Sequence, residues 1–181
     1  MSLLKKVNIL RRRLTKLITS RIVKNNTANK TIGPDTKIKQ ILISRPNHRL
    51  GNQLLITPLI QELEILFPDS KIDLFVKGGA SYEIFKNFSQ IDQIIALPKK
   101  HFKELFTYIK SWLRLKKKKY DLAINVINGS SSGRISIKFI HSEYKLFGEE
   151  YLKRCDYPID FFHYAKQPVY NLRFELERIG F

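Results

Sequence analysis

Residues 41–60 read ILISRPNHRLGNQLLITPLI, and this stretch decides the fold. Ile41, Leu42 and Ile43 form an apolar run between Lys39 and Arg45, the pattern of a short buried strand. A polar loop follows, Arg45-Pro46-Asn47-His48-Arg49, and then Leu50-Gly51-Asn52. Leu55, Leu59, Leu63 and Leu66 recur at helical spacing. The unit is strand, loop, helix, with the loop at the carboxyl end of the strand. In open α/β sheets ligands bind at that edge, and a helix N-terminus there favours anionic groups. Two starts compete for the helix. Asn52 is a favoured N-cap, whereas Thr57-Pro58 offers a cap followed by proline at the first helical position. A helix running from Gln53 would be distorted at Pro58.

The same unit recurs downstream. Phe67-Pro68-Asp69-Ser70 stops the helix, and residues 71–77, KIDLFVK, largely alternate as a strand ended by Gly78-Gly79. A short helix is expected from about Ser81, then a strand over residues 91–97 closed by Pro98. His101 to Leu115 reads as a helix with Phe102, Leu105, Ile109 and Trp112 on one face. Its end carries Arg114 and Lys116 to Lys119, which complement the helix dipole. That run reads either as a phosphate or lipid contact or as a solvated helix end. Residues 120–127 are a fourth strand, and Asn128 to Arg134, NGSSSGR, is a loop. Ile135 to Ile140 begins another packed segment, Tyr144 to Gly148 a fifth short strand, and Tyr170 to Ile179 a helix closed by Gly180. Strands alternating with helices imply an α/β fold, a parallel sheet covered on both faces.

The chain has 181 residues and a formal net charge of +17, which suits an acidic partner such as anionic lipid, nucleic acid or a phosphorylated substrate. Residues 1–24 form a basic amphipathic helix by pattern. Leu3, Val7, Leu10, Leu14 and Leu17 line one face, and Lys5, Lys6, Arg11, Arg12, Arg13, Lys16, Arg21 and Lys24 supply charge with no acid among them. Basic residues interrupt the run throughout, so it is neither a signal peptide nor a spanning segment. It reads as a helix lying on an anionic membrane surface, each cation contributing about 1 kcal/mol, or as a solvated or packed helix. Residues 25–36 are a polar linker, and the globular domain is expected over residues 37–181. No nucleic-acid-binding motif accompanies the charge, so no specific nucleic acid is expected. Cys155 is the lone cysteine, which rules out an intrachain disulfide and fits a reducing compartment. His48, His101, His141 and His163 show no metal-ligand spacing, and no metal or cofactor is expected.

Two loops should meet at the carboxyl edge of the sheet. The first offers Arg45, Asn47, His48, Arg49, Asn52 and Gln53; the second offers Asn128, Gly129, Ser130, Ser131, Ser132, Gly133 and Arg134. Hydroxyls, amides and guanidinium groups of this kind recognise sugar hydroxyls and phosphates. Gly129 and Gly133 permit close backbone approach. The second loop lacks the ending of a Walker loop, and neither loop carries a dinucleotide fingerprint. Its Gly/Ser cluster also fits a simple connection. His48 is of the residue type most often used as a general base near neutrality, and it also fits an exposed loop histidine.

The strand ending in Arg45, the Leu50-Gly51 turn, Thr57-Pro58-Leu59, Phe67-Pro68-Asp69 with its following strand, and YDLAINVINGSSSGR at 120–134 together resemble glycosyltransferase family 9, the lipopolysaccharide heptosyltransferase family. The match runs roughly over residues 38–148. The resemblance implies the Rossmann-like, acceptor-binding N-terminal half of an inverting, metal-independent GT-B glycosyltransferase. Arg45, Asn47, Arg49, Gly51, Gln53, Asn128, Gly129, Ser130, Ser131 and Arg134 are the acceptor-binding candidates. A nucleotide-sugar would be the donor and a membrane glycolipid the acceptor, at the inner face of the cytoplasmic membrane. Family members often carry an aspartate after the turn glycine as the proposed base. This chain has Asn52 there, whose amide does not accept a proton near neutrality. His48 is then the candidate base; the alternatives are a branch that binds without that base and a non-catalytic glycolipid- or membrane-binding module. The length from Lys37 leaves room for one Rossmann-like domain, so the C-terminal donor-binding domain is expected to be absent and the chain inactive alone. A separate donor-binding polypeptide is an expected partner.

Overall fold

The computed structural model describes residues 31–33, 36–78, 80–99, 104–149, 151–153 and 156–181. The strands are β1 (Gln40–Ser44), β2 (Lys71–Lys77), β3 (Ile91–Leu97), β4 (Lys119–Asn125) and β5 (His141–Leu146). The helices are α1 (Leu50–Leu54), α2 (Thr57–Leu66), α3 (Ser81–Phe85), α4 (Leu105–Lys117), α5 (Ser131–Phe139) and α6 (Gln167–Arg178), with a 3-10 turn at Tyr151–Lys153. The sheet order is β3-β2-β1-β4-β5 and every pairing is parallel. The order reverses between β1 and β4, so the crevice beyond their carboxyl ends is the topological switch point.

β1 lies at the centre, buried on both faces, which is why it reads as a continuous apolar run. Ile41 and Ile43 join a core with Ile60 and Leu63 of α2, Phe85 of α3, and Leu172 and Leu176 of α6. Leu42 faces the other way, toward Phe75, Ala123, Leu115 of α4 and Ile137 of α5. Helices therefore cover both faces of the sheet, as the sequence predicts. Ion pairing adds to the first layer: Arg173 of α6 reaches Glu62 of α2 with Nη2 to Oε2 at 2.9 Å.

The competition for the first helix has a third outcome. The chain makes two helices, with Leu55 and Ile56 as the break. Pro58 has no N–H and its ring would crowd the Leu54 carbonyl, so one continuous helix is excluded. Thr57 Oγ1 donates to that carbonyl at 2.9 Å instead. Asn52 is not an N-cap; it lies inside α1, and the cap position is Arg49, with no side-chain cap bond. Thr57 is likewise the first residue of α2 and not its cap, which is Ile56. Other boundaries also shift. α5 takes in Ser131, Ser132, Gly133 and Arg134, so much of the expected loop is helical. β5 starts at His141 and α6 at Gln167, each three residues earlier than the periodicity suggests.

The basic segment 1–24, with Lys5, Lys6, Arg11, Arg12, Arg13 and Lys16, lies outside the described residues. Of the expected linker 25–36, Ile32 is 2% exposed within the core, and its N–H donates to the Ile179 carbonyl. Lys118, in the cationic run, turns inward. Its Nζ donates to Asp73 Oδ1 at 3.0 Å and Asp92 Oδ2 at 2.9 Å. Tyr120 Oη donates to the second oxygen of Asp73 at 2.9 Å. Burial pushes the Asp73 carboxyl above the usual aspartate range, a shift that Lys118 and Tyr120 oppose but do not cancel.

Candidate functional site

The loop after β1 is held by backbone and amide contacts. Arg45 N–H continues the ladder to the Phe75 carbonyl at 2.8 Å. Asn47 Oδ1 accepts from Arg49 N–H at 2.9 Å, closing an Asx turn. Gln53 is fully buried, and its Nε2 donates to the Asn47 carbonyl at 3.0 Å and the Lys77 carbonyl at 2.9 Å. Gln53 therefore ties the loop to the end of β2.

The loop after β4 is built around Asn125, whose Nδ2 donates to the Ile127 carbonyl at 2.8 Å and the Phe147 carbonyl at 3.0 Å. Ser130 caps α5, accepting from Gly133 N–H at 3.2 Å. Gly133 is required here, because a Cβ would fall 2.0 Å from Asn125 Oδ1. Gly129 has φ of +71°, and its N–H donates to Glu149 Oε1 at 3.2 Å. Arg134 is engaged by the same carboxylate, at 2.7 Å from Nε and 2.8 Å from Nη2.

Between the two loops, at the switch point, lies a cavity of about 290 Å³ lined by Arg45, Asn52, Val126, Ile127, Asn128, Tyr164, Gln167 and Pro168. Its size is at the low end for small-molecule sites, roughly 300 Å³ upward. Larger hollows of about 520 and 400 Å³ open at the opposite, amino edge of the sheet, beside Lys37–Lys39 and Lys119–Asp121. The chemistry of the fold favours the smaller cavity, because loops at the carboxyl edge carry the ligand in such sheets.

Arg45 gives that cavity its character. Its side chain is 5% exposed, its Nε has no hydrogen-bond partner, and no carboxylate pairs with it among the described residues. Burial lowers its pKa to about 10, so it stays cationic at neutral pH. A buried, uncompensated cation is costly, and an anionic or strongly hydrogen-bonding ligand would relieve that cost. The amides of Asn52, Asn128 and Gln167 and the Tyr164 hydroxyl add donors and acceptors that suit sugar hydroxyls. No carboxylate or imidazole lines the cavity among the described residues, and no group of His, Cys, Asp or Glu there is placed to hold a metal ion.

The structure thus brings Arg45, Asn52 and Asn128 to one cavity and gives other candidates different positions. Asn47 and Gln53 shape the first loop. Gly129 and Arg134 are tied to Glu149, Ser130 is a cap, and Ser131 begins α5. Arg49 and Gly51 are exposed beside the loop. His48 is exposed toward β2, where a Cβ on Gly78 would meet its own Cβ at 3.7 Å, and it does not line the cavity. Sequence reasoning misses Tyr164, Gln167 and Pro168, because the stretch before Tyr170 has no clear periodicity. The available signal is Gln167-Pro168: proline in the first turn marks a helix start, and here it brings the N-terminus of α6 to the cavity.

No protein-family model matches the chain, and no curated protein does. Solved structures do. The glycosyl transferase family 9 structure from Veillonella parvula DSM 2008 is 17% identical with a TM-score of 0.52, the match covering 82% of this chain and 44% of that one. E. coli heptosyltransferase WaaC with ADP-2-deoxy-2-fluoro heptose is 12% identical with a TM-score of 0.51, covering 76% of this chain and 48% of that one. The chain spans less than half the length of either. What it shares with them is the fold: a Rossmann-like α/β unit of the kind found in GT-B glycosyltransferases.

Proposed function

We propose that the chain is the acceptor-binding part of a family 9-like inverting glycosyltransferase that moves a sugar from a nucleotide-sugar to a membrane glycolipid. The observation that carries this reading is Arg45, buried and without a carboxylate partner in the cavity at the switch point. In this reading the acceptor sugar sits between the β1 and β4 loops, with Asn52 and Asn128 on its hydroxyls. The acceptor oxygen attacks the anomeric carbon of the donor, the nucleoside diphosphate leaves, and the hydroxyl proton passes to a base. A second domain or polypeptide supplies the donor site. The charge of +17 suits work on the anionic inner face of the cytoplasmic membrane.

Asn52 favours a second reading, a non-catalytic glycolipid-binding module, because its amide is no base and none lines the cavity among the described residues. One experiment separates the two. The purified chain is given glycolipid acceptor extract and a panel of nucleoside-diphosphate sugars, with acceptor binding and nucleoside diphosphate release followed together. Acceptor binding lost in Arg45→Ala supports the site in either reading. Release of nucleoside diphosphate that depends on Arg45 selects the enzyme, and absence of any acceptor binding sinks both.

A further inference from the structure

α4 has three faces, and the core uses one of them. Ser111 and Leu115 are buried, and Trp112 packs its ring edge-on against Phe75 with centroids 5.1 Å apart. A second face is apolar and uncovered. Leu105, Ile109 and Leu113 follow one another at four-residue steps and are 55%, 46% and 54% exposed. Phe106, beside them, is 91% exposed. The third face is basic: Lys110 and Lys117, seven residues apart, are exposed beside the stripe, Lys116 is exposed at the stripe's C-terminal end, and the helix contains no acid. Arg114 is turned toward β3, where its Nε donates to Gln93 Oε1 at 3.1 Å.

An apolar stripe bordered by lysines is the pattern of a helix that lies in a membrane interface. We propose that α4 docks the chain on an anionic bilayer, with Phe106 and Leu113 entering the headgroup–acyl boundary and Lys110, Lys116 and Lys117 meeting lipid phosphates. Charge argues for this occupant over two others. A second copy would set one basic face against another. The segment 1–24 of the same chain carries eight basic residues and no acid, so its charge too would be repelled. The helix would lie in the plane of the surface, since no helix among the described residues is long and apolar enough to cross.

The position on the fold fits the proposed acceptor. α4 follows β3, which ends at the carboxyl edge, and leads back to β4, which starts at the amino edge. Leu105 and Phe106 therefore belong to the carboxyl edge, as does the Arg45 cavity. A bilayer against α4 would run beside the edge where a lipid-linked sugar has to enter. This inference rests only on the membrane part of the proposed function, not on sugar transfer.

The test is co-sedimentation of the full chain with vesicles of mixed phosphatidylcholine and phosphatidylglycerol, against phosphatidylcholine alone. Phe106→Ser/Leu113→Ser and Lys110→Glu/Lys117→Glu should each lower partition onto the anionic vesicles about tenfold or more. Phe139→Ser, an apolar site on α5 about as exposed as Leu113, should leave it unchanged, and all three variants should keep the parent unfolding midpoint. Parent-like partition of both α4 variants would overturn the proposal. If such variants still bind and deletion of residues 1–24 abolishes binding, the membrane reading stands and α4 has no part in it. A concentration-dependent dimer dissolved by Phe106→Ser, with vesicle binding intact, would overturn it in favour of a second copy. No preference for anionic vesicles would remove α4 docking and the membrane reading together, leaving the sugar site to its own test.

Discussion

Arg134 and Glu149 are joined by two parallel hydrogen bonds, of 2.7 and 2.8 Å, in a pair that is almost wholly enclosed. Their geometry fixes the loop that forms one wall of the cavity, because the same carboxylate also holds Gly129 N–H. The two arginines of the site thus divide the work. Arg134 is satisfied within the fold, and Arg45 is not.

Removing the carboxylate should expose that dependence. Glu149→Ala removes both of the parallel hydrogen bonds that this carboxylate gives buried Arg134, a loss of up to about 3–5 kcal/mol in comparable pairs. Urea unfolding should show it as a lower midpoint with an unchanged slope. A change under about 0.5 kcal/mol would mean that the pair does not hold the loop.

Arg45 should behave in the opposite way. Arg45→Met keeps most of the side-chain volume and removes a buried cation with no carboxylate partner, so stability should hold or rise by about 1 kcal/mol. Binding of acidic oligosaccharide fragments, measured by calorimetry, should fall at least about tenfold, since charge-assisted hydrogen bonds contribute roughly 1.5–3 kcal/mol. Loss of stability with binding retained would make Arg45 part of the scaffold.

Asp73 gives a pH prediction with a definite sign. Its folded carboxyl titrates above the ordinary aspartate range, so the folded state holds a proton in a window where the unfolded chain has lost it. Stability from this group therefore rises as pH falls through the raised pKa toward the ordinary value near 3.8. Asp92 titrates low beside Lys118 and works in the other direction, so the comparison has to be made with a variant that retains it. Wild type should gain stability relative to Asp73→Asn between pH 7 and pH 4, as read by unfolding at each pH. A constant difference would show that Asp73 titrates normally.

Two glycines should separate conformational need from function. At Gly133 a Cβ would collide with Asn125 Oδ1, so Gly133→Ala should destabilise by about 1–3 kcal/mol as the Asn125 contacts shift. Gly51 lies in α1, and a Cβ there would meet nothing within 4 Å, so Gly51→Ala should be neutral or stabilising by about 0.5–1 kcal/mol. If Gly51→Ala nevertheless weakens oligosaccharide binding, Gly51 is there for close approach of a ligand. Thermal unfolding and calorimetry on the same samples decide it.

The strands are the most legible part of the sequence. β1 announces itself because a central parallel strand buried on both faces needs an unbroken apolar run, while β2 and β3 are marked by partial alternation and by the Gly78 and Pro98 that punctuate them. The split between α1 and α2 is half legible: Pro58 marks the obstruction, but the brief α1 before it is held by the Gln53 amide, a tertiary contact. The cavity is legible only on the β1 and β4 side. Arg45, Asn52 and Asn128 follow strands, so topology alone brings them together. Tyr164, Gln167 and Pro168 reach the same place through packing of Tyr151, Phe161 and Tyr170, whose rings lie 4.7–6.5 Å apart across an irregular segment with no period to read. Arg134 misleads for a related reason. Its partner Glu149 lies 15 residues away, beyond β5, and residue type alone does not tell a ligand-binding arginine from a paired one.

Asn52 offers the sharpest test of the cavity, because it lines it together with Arg45 and its amide differs from an aspartate carboxylate by one charge at nearly the same volume. Asn52→Asp would put a carboxylate into a cavity whose one cation is Arg45 among the described lining residues. The new charge would favour Arg45 as its partner and would itself be held ionised by it. An acidic ligand would then compete with an internal carboxylate and bind at least about tenfold more weakly, an effect of the size expected for a charge-assisted hydrogen bond. A neutral sugar ligand would lose far less. Titration calorimetry with acidic and neutral oligosaccharides on the same variant reads the difference directly. Equal losses for both would point to a steric change, and no loss for either would place the ligand away from Arg45 and Asn52.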